Sequence, residues 1–139
     1  ILDPGGAAFP RLLTHADLRG LVAAHRLPEM LDRFNTATLG EVLHEQVRWD
    51  FPYGPTIGVT ETFEGRQAVT EHLGRVQSSG VRISAIRTEL ETPHGAVVHA
   101  TGSFPTPRGV ISSEIVSVIT VRDGLISEVR EYLDTAAIR

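Results

Sequence analysis

The chain has 139 residues, 41% hydrophobic and 22% charged, which suits one globular domain with a sizeable core. Its 13 basic and 17 acidic residues give a formal charge of -4, without the basic excess of a nucleic-acid module. With no cysteine it has neither a disulfide framework nor a thiolate nucleophile. All 13 basic residues are arginine, a signature of GC-rich coding sequence and not of a binding surface. No apolar run approaches the ~18 residues of a membrane span, and the first residues lack a signal-peptide layout. The expectation is a cytoplasmic protein with no membrane partner: a single domain over 1–139, in which the first residues, 1–13, are either a flexible arm or a partner-clasping segment.

Thr14 can cap a helix whose apolar stripe is Leu18, Leu21, Val22 and His25. Pro28 is expected to interrupt it, since proline lacks the N–H and disfavours helix in the residue before it. The stripe restarts with Met30, Leu31 and Phe34, giving two short helices or one kinked helix. Thr38-Leu39-Gly40-Glu41 reads as a capping box, and Leu39, Val42 and Leu43 as the buried side of a third short helix.

Val47-Arg48-Trp49-Asp50-Phe51 alternates as a half-buried strand should, and Pro52, Gly54, Pro55 and Gly58 then break it into a loop. Gly65 starts a helix with Ala68, Val69, His72, Leu73 and Val76 on one face. From Val81 the runs Val81–Glu91, Ala96–Phe104, Val110–Val121 and Leu125–Leu133 are rich in β-branched residues. Their short separators suit consecutive antiparallel hairpins. The fold class is α+β, a curved antiparallel sheet with helices on one face.

Three segments carry a family resemblance: Leu39 to Pro52, a helix feeding a strand that ends at proline; Phe63-Glu64-Gly65-Arg66-Gln67-Ala68-Val69, a helix start; and Asp123-Gly124-Leu125-Ile126 through Arg130-Glu131-Tyr132-Leu133-Asp134. Together they resemble the SnoaL-like branch of the nuclear transport factor two superfamily, which includes ketosteroid isomerase, limonene epoxide hydrolase and polyketide cyclases. The resemblance covers Leu27 to the C-terminus. It implies a cone-shaped α+β barrel enclosing an apolar pocket, with one or two acids inside in the isomerase and hydrolase members.

Strand parity selects which side chains face that pocket. Pairing Phe104 with Gly109 opposes Val98 to Ile115 and His99 to Glu114. Val98, Ala100, Gly102, Phe104, Ser113, Ile115, Ser117 and Ile119 then share the inner face. His99, Thr101, Ser112, Glu114, Val116 and Val118 share the outer one, where the two valines suggest a homodimer surface. The last hairpin has two solutions. A two-residue Asp123-Gly124 turn puts Arg130 and Tyr132 inward; a three-residue turn with a bulge puts Val129, Glu131 and Leu133 inward. The second surrounds one acid with apolar residues and is preferred. It also matches the resemblance, which implies a catalytic acid at this point of the tail.

Glu131 is therefore the leading candidate acid. Ketosteroid isomerase carries its general base just before a proline on the first strand, a position held here by Phe51. Asp50 lies on the opposite face from Val47, Trp49 and Phe51, a surface acid unless a bulge turns the strand end, and is the second candidate on that condition. The isomerase's oxyanion acid falls near Ser117, a weaker donor. His72, mid-stripe on its helix, faces the sheet either as a core histidine or as a proton-transfer group. Trp49, Phe51, Tyr53, Phe104, Ser117, Val129 and Leu133 complete the expected ligand-contacting set, with Tyr53 at the mouth.

His44-Glu45-Gln46-Val47-Arg48 lacks the second histidine of a zinc-binding HExxH. No GxSxG elbow, phosphate loop or dinucleotide fingerprint is present. No metal or cofactor is expected. The expected function is a cofactor-free isomerase, cyclase, dehydratase or epoxide hydrolase acting on a lipophilic small molecule such as a polyketide or terpenoid intermediate of bacterial secondary metabolism. The alternatives are a binding module of the same fold, or an assembly role through the outer sheet face.

Overall fold

A computed structural model describes residues 26–138. The helix expected from Thr14 to His25, and the arm before it, lie outside the described residues. Residues 26–32 are helical (α1), with Pro28 inside them and not at a break. Leu27, Met30 and Leu31 are buried, as is Phe34 in the 3-10 turn Arg33–Thr36 that follows. The expected capping box does not form. Leu39–Val42 is only a 3-10 turn: the Thr38 hydroxyl meets that of Thr36 (2.8 Å) and makes no cap bond, and Glu41 pairs with Arg33 (3.4 Å). The chain then enters strand β1, Leu43–Asp50.

After β1 come β2 (Thr62–Glu64), helix α2 (Arg66–Ser78), and the long strands β3 (Arg82–Thr92), β4 (Gly95–Thr106), β5 (Gly109–Arg122) and β6 (Leu125–Leu133). A short helix, α3 (Thr135–Ile138), follows; the Asp134 carboxylate accepts from the Ala136 N–H (3.0 Å) at its start. The sheet order is β2-β1-β6-β5-β4-β3. The β3–β6 hairpins are antiparallel as expected, but β1 lies parallel to β6 and closes the sheet from the far end of the chain.

Face parity holds although the expected β4–β5 register is off by two residues. Val98 opposes Ser117 and Ala100 opposes Ile115, because the turn is the tight Pro107-Arg108 pair between Thr106 and Gly109. A two-residue slip leaves every side chain on its own face. Val98, Ala100, Ile115, Ser117 and Ile119 are buried, while Val116 and Val118 remain 37% and 46% exposed. His99 and Glu114 meet diagonally (3.6 Å) and are not directly opposed. Helix α2 packs Val69 and Leu73 into the core on the inner face, together with Leu43, Val47, Trp49 and Ile126.

Bulges curl the sheet. β3 shifts register between Ser84 and Arg87, where Ala85 has φ 51°, and again between Thr88 and Leu90. At the other edge of β4 the backbones come very close: a Cβ on Gly95 would lie 1.8 Å from the Ile119 carbonyl oxygen. Backbone cannot step aside as a side-chain tip can. Gly95→Ala is therefore expected to cost about 3 kcal/mol, the upper end for overpacking, read as a lower urea midpoint.

Candidate functional site

Between the helices and the inner sheet face lies a cavity in two adjoining compartments. The inner one, about 90 Å³, reaches buried Leu31, Phe34, Trp49, Val98 and Ile115. The outer one, about 210 Å³, reaches Tyr53, Ile57, Val59, His72, Leu133 and Ile138. Phe51, Phe104 and Glu131 line both, as do Val76 and Val81. Glu131 is the one acidic residue on either wall among the described residues.

Glu131 points inward by a different route from the expected one. The β5–β6 turn is the two-residue Asp123-Gly124, with Arg122 opposing Leu125 and both turn residues at positive φ (55° and 77°). On its own this turn would aim Arg130 and Tyr132 inward. Ser127 reverses the parity: Ile126 opposes Val121 and Glu128 opposes Thr120, leaving Ser127 as the extra, bulged residue. Its hydroxyl donates to the Thr120 carbonyl (3.1 Å). Beyond the bulge, Val129 opposes Ile119 and Glu131 opposes Ser117, on the buried side.

Burial pushes the Glu131 carboxyl up to about 7. The Trp49 indole N–H works against that rise by favouring the carboxylate. Their contact falls short of a well-formed hydrogen bond, so the buried indole nitrogen has no partner of good geometry.

His72 is buried as its place on the α2 stripe implies. It stacks on Phe63 (ring centroids 4.1 Å, 15° between planes) and meets Phe51 edge-on (5.2 Å). Desolvation lowers its pKa, and the positive charge of Arg75 adds to the effect. Its imidazole is therefore a neutral proton acceptor at pH 7, on the same wall system as a carboxyl whose pKa is raised towards neutrality.

Of the other expected site residues, Trp49 and Ser117 line the inner compartment, Tyr53 and Leu133 the outer, and Phe51 and Phe104 both. Tyr53 is 54% exposed at the mouth, its ring against Tyr132 (6.2 Å). Val129 lines neither compartment: it is fully buried, paired beside Trp49 across β1 and β6, and belongs to the core.

Asp50 also lines neither compartment, and it is not the surface acid that alternation implies. It is only 5% exposed, on the sheet side opposite Trp49, and its carboxylate accepts from Arg48 Nε (3.1 and 3.2 Å) and the Thr62 hydroxyl (2.8 Å). Thr62 arrives on β2, which the sequence reading treats as loop. This carboxylate is committed to joining β1 to β2. Asp50→Asn should cost about 1–2 kcal/mol, a charge-assisted bond weakened but not removed, while ligand binding in the cavity stays unchanged; urea melts and Trp49 fluorescence titration check both halves.

Val81, Ile83, Ile86, Thr135 and Ile138 are wall residues absent from the expected set. Ile83 and Ile86 lie three apart on a strand and should face opposite sides; the bulge at Ala85 turns them to the same one. The signal for Thr135 is Asp134, a helix-capping residue placed straight after the last strand.

A profile for the SnoaL-like domain matches residues 24–129. No curated protein sequence matches the chain significantly. Among solved structures, TerC co-crystallised with polyporic acid is similar at TM-score 0.66 and 23% identity, over 88% of this chain and 94% of TerC. SalBIII, described as an epoxide hydrolase/cyclase-like enzyme in pyran ring formation in polyether salinomycin, is similar at TM-score 0.67 and 16% identity, over 84% and 93%. Bal32a, from a soil-derived mobile gene cassette, is similar at TM-score 0.72 and 16% identity, over 86% and 95%. At these identities the likeness concerns the fold. No helix among the described residues is long and apolar enough to cross a membrane.

Proposed function

The chain belongs to the SnoaL-like domain family of the nuclear transport factor two-like superfamily, and on that premise we propose that it is an acid–base enzyme acting on a lipophilic small molecule. The observation that carries this reading is a lone carboxyl, Glu131, at the meeting point of two apolar compartments, held where proton donation and acceptance are both available near neutral pH. The reaction classes that fit are isomerisation, cyclisation, dehydration and epoxide opening. Each turns on proton transfer at a carbon or oxygen centre: isomerisation and cyclisation take a proton from one centre and return one to another, dehydration releases water, and epoxide opening adds water or a substrate hydroxyl as the nucleophile. Glu131 transfers the proton, His72 accepts or relays it in the outer compartment, and the hydrocarbon walls hold the substrate in place. The fold's occurrence in SalBIII and in a TerC complex with polyporic acid agrees with a secondary-metabolite substrate.

The test is a panel of three probes: a hydrophobic epoxide, a β,γ-unsaturated cyclic ketone, and an aryl polyketide ester able to close by aldol condensation. Conversion of any one by the wild type, and its loss in Glu131→Gln, is the expected result. A second reading, a binding module without turnover, draws on Glu131 being the one acid on the cavity wall. Equal binding by both proteins, with no conversion of any probe, selects it and overturns the first. Under either reading, we propose that a second copy of the chain sits on the outer sheet face at Val116 and Val118; native mass spectrometry showing only a monomer overturns that part.

A further inference from the structure

The five residues common to both compartments, Phe51, Val76, Val81, Phe104 and Glu131, form a collar between them. Inside it the wall is hydrocarbon apart from Ser117 and the Trp49 indole N–H. The remaining polar side chains, Tyr53, His72 and Thr135, belong to the outer compartment. Both compartments are mainly hydrocarbon, with the acid at the waist between them.

Volume sets what each part can hold. An apolar cavity of about 150 Å³ accommodates one benzene molecule. At about 90 Å³ the inner compartment is too small for a ring and suits a short alkyl group. At about 210 Å³ the outer compartment takes one substituted ring.

Within the collar, Phe104 has a built seat. A Cβ on Gly102 would lie 2.4 and 2.6 Å from Phe104 ring carbons and 2.9 Å from Ile115 Cδ1, so only glycine lets the ring lie against β4 at that point. The ring's position, and with it the width of the waist, is set by the backbone two residues earlier.

We propose that Phe104, seated on Gly102, is the specificity-determining residue of this cavity, and that the ligand is a lipophilic molecule with one ring-sized head in the outer compartment and a short alkyl tail through the collar. This rests on the reading that the Glu131 cavity binds a lipophilic small molecule. In that pose the atoms joining head to tail pass beside Glu131, so the acid addresses the junction of ring and chain.

The sole tryptophan of the chain, Trp49, lines the inner compartment and reports its occupancy by fluorescence. The probes are 4-alkylcyclohexanones with methyl, propyl, pentyl and heptyl tails, which do not themselves fluoresce. Wild-type affinity should rise about fourfold per methylene as far as propyl, the factor equivalent to about 0.8 kcal/mol for each buried CH₂, and then level or fall at pentyl. Phe104→Leu should move that break to pentyl or beyond. Should this variant fail to fold, Val76→Ala widens the same waist from α2 and should move the break the same way. An unbroken rise through heptyl in the wild type overturns the partition. A break unmoved in the folded variant overturns the collar's role in it. If no probe binds the folded wild type, by fluorescence or by equilibrium dialysis, the underlying reading of the cavity fails instead.

Discussion

Glu131→Gln should fold and lose about 10²- to 10⁴-fold in turnover, the range for removing a positioned proton-transfer group. Glutamine keeps the shape and an acceptor oxygen for the Trp49 N–H, so packing around β6 is preserved. A separate signature lies in stability. The Glu131 pKa rises on folding from 4.5 to about 7, so between those values the native chain binds more protons than the unfolded one. Stability therefore falls as pH climbs through that window, by about 3 kcal/mol at most when complete above pH 7. His72 acts in the opposite sense. Its pKa is lowered on folding, so stability is lost as pH drops below the unfolded value of 6.5. The two slopes oppose each other between 4.5 and 6.5. In Glu131→Gln only the His72 slope remains: the variant should match wild type near pH 4 and exceed it at pH 8, by urea denaturation at each pH. A variant equally active, or one whose stability tracks wild type across this range, removes Glu131 from the proposed chemistry.

Much of this site was legible because strand faces depend on parity alone. The alternation of Ile115, Ser117 and Ile119 with Val116 and Val118 divides inside from outside even when the register is misjudged by two residues, as it was for Val98 and Ser117. The Glu131 placement shows how narrow that advantage is. The turn has two residues and not the expected three, and the acid still faces inward because one bulged residue, Ser127, performs the parity change that a three-residue turn would supply. Bulges are hard to read from sequence because an extra serine in a strand carries no distinctive pattern. The same reason hid Ile86: no periodicity brings it beside Ile83 without the kink at Ala85. Asp50 departs from its expected exposure for a different reason. Its partner Thr62 is 12 residues away on a three-residue strand, and alternation within β1 cannot report what covers the outer face. The parallel seam between β1 and β6 was invisible for the same cause, since pairing between chain segments this distant leaves no local trace.

That seam is what brings Trp49 to Glu131, and the two substitutions at Trp49 should separate packing from electrostatics. Trp49 is 3% exposed in the centre of the core, so Trp49→Ala should cost about 3–5 kcal/mol and widen the inner compartment. Trp49→Phe keeps most of the ring volume and deletes only the N–H. With that group gone, nothing named beside Glu131 offsets its desolvation, and its pKa should climb further above its already raised value. The pH profile of turnover should then move alkaline in Trp49→Phe, while the unfolding midpoint at pH 4, where the carboxyl is mainly protonated in both states, changes mainly by the packing difference. A purely structural role for Trp49 predicts lower stability at every pH and an unmoved profile. The direction of the shift is fixed by chemistry: an N–H donor favours the carboxylate, so its removal can only favour the acid. A profile that stays in place, or moves acidic, means that the proton being transferred is not on Glu131.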